Sequence, residues 1–145
     1  MKNNLSISVI VITFNRAKSL QKALISLARQ ERQPDEVIVV DNTSTDNTKE
    51  IVLSFRNKLN IKYIYEKRRG IPYARNTGVK NATKDIIAFT DDDCVADRNW
   101  LKYLEIPFIK DPHIGVVGGE VSCLKVGQNI VAEFYSKNMP AREIE

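Results

Sequence analysis

The sequence predicts an α/β domain built on a mostly parallel sheet with helices on both faces. Three observations carry that prediction. Short β-branched runs alternate with segments whose apolar residues recur at helical spacing, the runs are apolar on both pleats, and each ends on a polar loop.

The elements follow in order. Ile7 to Thr13 is the first apolar run and closes on Phe14-Asn15-Arg16. Leu20, Ala23, Leu24, Leu27 and Ala28 then give an amphipathic helix from about Ala17 to Gln30, ended by Pro34-Asp35. Glu36 to Val40 is a second strand, followed by a polar loop from Asp41 to Thr48 whose side chains suit backbone amides and a helix cap. Ile51, Val52, Phe55 and Leu59 supply the next helix stripe, and Ile61 to Tyr65 reads as the third strand. After a basic loop, Pro72 is placed to start a short helix through Asn81, because its missing N–H costs nothing at the first helical position. Asp85 to Thr90 is the fourth strand and delivers Asp91-Asp92-Asp93. Trp100, Leu101 and Leu104 predict a helix that Pro107 interrupts or ends. Ile114 to Leu124 is expected to be a strand broken by glycines, and Gln128 to Lys137 the beginning of another helix.

Composition narrows the class. The chain has 145 residues, 43% of them hydrophobic and 28% charged, which suits one folded domain spanning residues 1–145. Its apolar runs stop far short of the roughly 20 residues needed to cross a bilayer, and the N-terminus lacks the form of a secretory signal. A cytoplasmic setting, peripheral at the inner face of the membrane if the substrate demands it, is the expectation. Cys94 and Cys123 have no partner at metal-ligand spacing and are expected to be buried thiols. A formal charge of +4, with Lys67, Arg68, Arg69 and Arg75 as its densest run, is too modest and too interrupted for nucleic acid; it suits a phosphate-bearing small ligand.

Three polar endings, Phe14-Asn15-Arg16, Asp41 and Asp91-Asp92-Asp93, each lie directly after an apolar strand. In open α/β sheets the ligand crevice lies at that edge. Three consecutive carboxylates repel by about 3 kcal/mol per pair at ~5 Å and an effective dielectric near 20, a cost that a divalent cation would remove. Oxygen ligands without histidine suit Mg2+ or Mn2+. An extended backbone would turn Asp91 and Asp93 to one side and Asp92 to the other; a solvated turn, with Asp97 as a helix cap, is the plainer alternative. Asn42, Ser44 and Asp46 can cap the following helix, which leaves Asp41 to accept an N–H from a base, while Phe14 could stack on it. Arg75, at a helix start, matches phosphate geometry, whereas Arg68 and Arg69 read as solvated surface and His113 as a surface turn residue.

Together these pieces resemble family 2 glycosyltransferases. The matching segments are Val9 to Arg16, Val39 to Asp46, Ala74-Arg75-Asn76-Thr77-Gly78 and Phe89-Thr90-Asp91-Asp92-Asp93, so the likeness covers Ser6 to about Leu124. The resemblance implies a Rossmann-like GT-A fold and inverting transfer of a sugar from a nucleotide diphosphate to an acceptor hydroxyl. It implies a donor-nucleotide set of Thr13, Phe14, Asn15, Arg16, Asp41, Ser44, Arg75, Asp91 and Asp92. The aspartate run resembles the family's DXD motif, with Asp93 and Asp91 as metal ligands; Asp92 is an alternative because a run of three leaves the register open. The implied partners are a UDP-sugar, uridine being the family's commonest base, and a saccharide or lipid-linked acceptor. Only about fifty residues follow Asp93, and Glu120 and Glu133 qualify as general base only by default. The base is therefore expected beyond residue 145, and the chain is expected to be truncated at its C-terminus.

Two other classes compete. A catalytically incomplete nucleotide-sugar-binding module would keep the pocket and lack transfer. A haloacid-dehalogenase-like phosphohydrolase would use Asp91 as nucleophile, but that motif normally opens its fold and would leave Asp41 unexplained. The glycines at 115, 118 and 119 fall too late, and inside an apolar run, to be a dinucleotide fingerprint; a bulge or close backbone packing suits them better.

Overall fold

The structure is a computed structural model that describes residues 5–119 and 121. Four strands and four helices alternate: β1 Ile7–Thr13, α1 Ala17–Ala28, β2 Glu36–Asp41, α2 Thr48–Ser54, β3 Ile61–Tyr65, α3 Ile71–Asn81, β4 Ile86–Asp91 and α4 Trp100–Lys110. All strand pairs are parallel, in the order β3-β2-β1-β4.

The double-sided apolarity of β1 and β2 has a direct structural cause. Ile7, Val9 and Val11 with Val37 and Val39 face one layer, where Leu20, Leu24 and Leu27 of α1, Val52 of α2 and Leu101 of α4 pack on them. Ile10, Ile38 and Val40 face the other, against Ala74 of α3. Helices thus cover both faces, three on one side and one on the other. Gly78 lets α3 sit this close, since a Cβ there would lie 2.6 Å from Ile10 Cγ2 and 3.5 Å from Val40 Cγ2. β4 is covered less completely: Ile86 and Ala88 are buried, while Ile87 and Phe89 are exposed. Among the described residues no strand pairs with its outer edge.

Several expectations require correction. Pro107 lies inside α4 without ending it; the carbonyl deprived of its donor belongs to Tyr103, an exposed residue, where water can replace the lost bond. Residues 114–119 form no strand, Val116 is 77% exposed, and a side chain at Gly115 or Gly118 would meet nothing within 4 Å, so neither a bulge nor close packing explains those glycines. An apolar run without a ladder partner has no reason to stay extended. Cys94 is half-buried, because it sits in the turn after β4 and not within a strand. The expected helix at 128–137, Cys123, Glu120 and Glu133 lie outside the described residues. No described helix is long and apolar enough to cross a membrane.

At the sheet edge remote from the polar endings, Glu36 is buried and accepts hydrogen bonds from Ser8 Oγ at 2.6 Å, Thr83 N–H at 2.7 Å and Thr83 Oγ1 at 2.9 Å, with Lys62 Nζ 3.2 Å away. Burial raises its pKa, but these donors outweigh burial and bring the carboxyl down from 4.5 to about 2. A folded-state pKa below the unfolded one contributes stability above the unfolded value, and that contribution fades as pH falls from about 4.5 toward about 2. Glu36→Ala, which strands Ser8 and Thr83, is expected to cost about 2–3 kcal/mol at pH 7 in denaturant titration and to flatten the acid limb of the stability profile between those values. Gly78→Ala is expected to lower stability by about 1–3 kcal/mol in the same measurement, because Ile10 must move inside a packed layer.

Candidate functional site

Parallel pairing sends every strand's C-terminal end to one edge. Thr13 pairs with Asp41, Ile12 with Asp91, and Asp41 with Tyr65, so the predicted polar endings meet there. They surround a cleft of about 570 Å³ lined by Ile12, Thr13, Phe14, Arg16, Asn42, Thr43, Arg69, Gly70, Ile71, Arg75 and Asp91 to Asp93.

The three aspartates have separate environments. Asp91 and Asp93 are exposed, and their carboxylate oxygens lie with Cys94 Sγ within 4.8 Å of one another. Asp92 turns the other way and is buried, where it accepts a hydrogen bond from Thr13 Oγ1 at 2.7 Å and pairs with Arg16 Nη1 at 3.3 Å. Burial raises the Asp92 pKa, against the pull of Thr13 and Arg16. The same Arg16 nitrogen lies 2.8 Å from Asp93 Oδ2, and the two carboxylates together raise the guanidinium's pKa, Asp92 contributing most. Cys94 is held as the neutral thiol, first by burial and further by the three aspartates. Oxygen atoms of Asp91 and Asp93 fit a hard divalent cation, whereas a protonated thiol does not.

The loop after β2 is held from several sides. Asp41 is buried; its Oδ1 accepts the Ser44 N–H at 2.8 Å and its Oδ2 the Tyr63 hydroxyl at 2.7 Å. That hydroxyl's own pKa is pushed up, by burial and by Asp41. Asn15, at φ 51°, joins the loops after β1 and β2: its N–H donates to Ser44 Oγ and its Oδ1 accepts the Thr45 N–H. Asp46 Oδ2 accepts the Ala17 N–H at the start of α1, and its Oδ1 accepts the Thr48 N–H at the start of α2. Asp41, Ser44 and Asn15 therefore stand behind the cleft wall and shape it, while Thr13, Phe14, Arg16, Arg75 and the aspartates line it.

The sequence suggests only a capping role for Asn42, and its structural role is larger. Its Nδ2 donates to the carbonyls of Glu66 and Arg68, and its Oδ1 accepts the Gly70 N–H, fixing the whole loop before α3. Glu66 braces the same loop by accepting from the Arg68 guanidinium and backbone and from Thr77 Oγ1; these bonds, Arg68's first, hold its carboxyl well below the usual range. Arg68 thereby faces Glu66 and the Tyr73 ring, and Arg69 reaches the cleft. No local signal in the sequence separates Arg69 from Arg68; what separates them is Glu66, which takes Arg68. Thr43 carries φ 72°, a conformation that costs a β-branched residue roughly 1–3 kcal/mol, and its Oγ1 is buried without a partner among the described residues.

Comparison with known proteins bears on this arrangement. The family model described as glycosyl transferase family 2 matches residues 8–135. Glycosyltransferase AglE of Haloferax volcanii is 34% identical over 143 residues, covering 94% of this chain and 47% of the relative. A validoxylamine A glucosyltransferase of Streptomyces hygroscopicus subsp. limoneus is 36% identical over 100 residues, covering 66% of this chain and 22% of its own. The chain thus spans less than half the length of these relatives. Among solved structures, mannosyltransferase PcManGT from Pyrobaculum calidifontis, in complex with GDP-Man and Mn2+, superposes with a TM-score of 0.71 at 31% identity, covering 79% of this chain and 35% of that one. TarS of S. aureus in complex with UDP-GlcNAc gives 0.65 at 34%, covering 81% and 37%. The family model spans all four strands, and the chain belongs to glycosyl transferase family 2, in the Rossmann-like GT-A fold.

Proposed function

We propose that the cleft binds a nucleotide-diphospho-sugar and that the chain serves inverting transfer of the sugar to an acceptor hydroxyl. The observation that carries this reading is the polarity of one cleft. Asp91 and Asp93 follow β4 at one end, Arg69 and Arg75 project from the α3 side, and the uncharged Asn42 and Thr43 make the end that follows β2, about two strand spacings, ~10 Å, from β4, with Phe14 after β1 between them. A heterocycle suits the uncharged end, with the exposed Phe14 ring available to stack. A diphosphate suits the middle, between guanidinium groups and the aspartate pair. The ligands of PcManGT and TarS, GDP-Man with Mn2+ and UDP-GlcNAc, belong to this class of donor; a UDP-sugar is the reading we favour.

Asp91 and Asp93 are the residues that would hold Mg2+ or Mn2+. Bound there, the ion would neutralise charge on the leaving diphosphate. Arg16 already sits on Asp93 Oδ2, so a cation bound there would share the Asp93 carboxylate with Arg16. Asp92 acts differently, fixing through Thr13 and Arg16 the turn from which its neighbours project. The group that deprotonates the acceptor hydroxyl is assigned to a segment outside the described residues.

A second reading keeps the same cleft as a donor-binding module without transfer. Calorimetry with UDP-sugars, with and without Mn2+, beside a transfer and hydrolysis assay on the same sample separates the two. Binding without turnover favours the module, and metal-independent binding unchanged in Asp93→Ala would sink the metal assignment. Asp93→Ala is expected to abolish the Mn2+-dependent part of donor affinity. Asn42→Ala releases the loop carrying Arg69 and Gly70; a roughly tenfold weaker donor Kd is expected, with a stability loss of about 1–3 kcal/mol in thermal unfolding.

A further inference from the structure

The cleft wall contains a hydroxyl to which the donor-binding scheme gives no role. Thr43 Oγ1 is buried and has no hydrogen-bond partner among the described residues, although buried hydroxyls ordinarily find one. The same residue holds a left-handed backbone, φ 72°, that glycine would adopt freely and asparagine readily. Its neighbours impose that conformation. Asn42 is tied by its side chain to Glu66, Arg68 and Gly70, and Ser44 is tied through its N–H to Asp41 and through its Oγ to Asn15. Thr43 spans two fixed points and cannot relax. A threonine here carries both an unpaired hydroxyl and a strained backbone, and it lines the uncharged end of the cleft.

We propose that Thr43 is a specificity-determining residue whose hydroxyl reads the polar edge of the donor's nucleobase. To meet a ligand in the cleft that Thr43 lines, the buried Oγ1 would turn by about 120° about χ1, from one staggered well to another. There the hydroxyl can donate to a ring carbonyl or accept from a ring N–H or amino group, which a methyl group cannot do. The assignment to base and not phosphate rests on position: Thr43 follows β2 beside Asn42, which holds Gly70, and the aspartates follow β4 on the far side of β1. It rests on the reading of that uncharged end as the base end.

The test measures binding of UDP, GDP, CDP and dTDP, and of inorganic pyrophosphate as a base-free probe, all with Mn2+, to the full 145-residue chain and to Thr43→Val, Thr43→Ser and Thr43→Gly. Val keeps the shape and removes the hydroxyl, Ser keeps the hydroxyl, and Gly relieves the backbone, so a folding defect in one variant leaves the others to decide. Thr43→Val and Thr43→Gly are expected to weaken the preferred nucleotide roughly tenfold and narrow its margin over the other three. Thr43→Ser should stay near wild type, and pyrophosphate should bind all four chains alike. Undiminished nucleotide affinity in the Val and Gly variants overturns the proposal, as does an equal loss for pyrophosphate, which would mark a merely structural role. If the wild-type chain binds nucleotides no more tightly than pyrophosphate, the base-end reading itself fails.

Discussion

The pairing of β1 with β2 on one side and β4 on the other is the constraint on which everything else depends. Because all three run the same way, the register brings Thr13 level with Asp41 and Asp91 level with the adjacent Ile12, at one edge. Burial of both faces of β1 and β2 fixes that register, since a slip of one residue would exchange the side chains of the two layers. The chemistry at the edge is thus set by packing several residues away. Ile10 is an example: it holds the sheet against α3 at Gly78, and α3 begins at the cleft.

At that edge, polar residues divide into exposed groups that face the cleft and buried ones that hold its loops in place, Asn42 and Asp92 doing so from the lining itself. Asp41, Asn42, Glu66 and Asp92 are all buried and all hydrogen-bonded. Each uses its polarity to fix a loop, Asp41 the turn at Ser44, Asn42 and Glu66 the loop before α3, and Asp92 the turn after β4. The exposed groups, Asp91, Asp93, Arg69 and Arg75, can then differ in charge at short range without the loops rearranging. Preorganisation of this kind is what a site acting on a diphosphate needs, since the protein's share of such chemistry is positioning and charge.

Much of this is legible in the sequence. β-branched runs mark β1 to β4 nearly to the residue, because both faces of the central strands are buried and the apolar pattern is uninterrupted. The convergence of Asp41 and the aspartate triplet follows from topology, whereas Asp92 is set apart from Asp91 and Asp93 by a turn after β4 and not by the extended backbone that the alternation assumed. What stays hidden depends on contacts between loops distant in sequence. Nothing local distinguishes Asn42 from a cap, or Arg69 from Arg68; the difference is that Glu66 occupies one arginine and leaves the other to the cleft. The run from Ile114 fails for the opposite reason: its local pattern is apolar, but strand formation needs a neighbour, and none of the described residues supplies one.

The incompletely covered fourth strand has a further consequence, for how the molecule behaves in company. Ile87 and Phe89 present apolar surface beside a strand edge that no other strand among the described residues pairs. Such a flank is a template for any extended segment that arrives, from a neighbouring molecule as readily as from the same one. Where that edge stays open, a charged substitution at the exposed Phe89 would favour solubility by blocking such pairing.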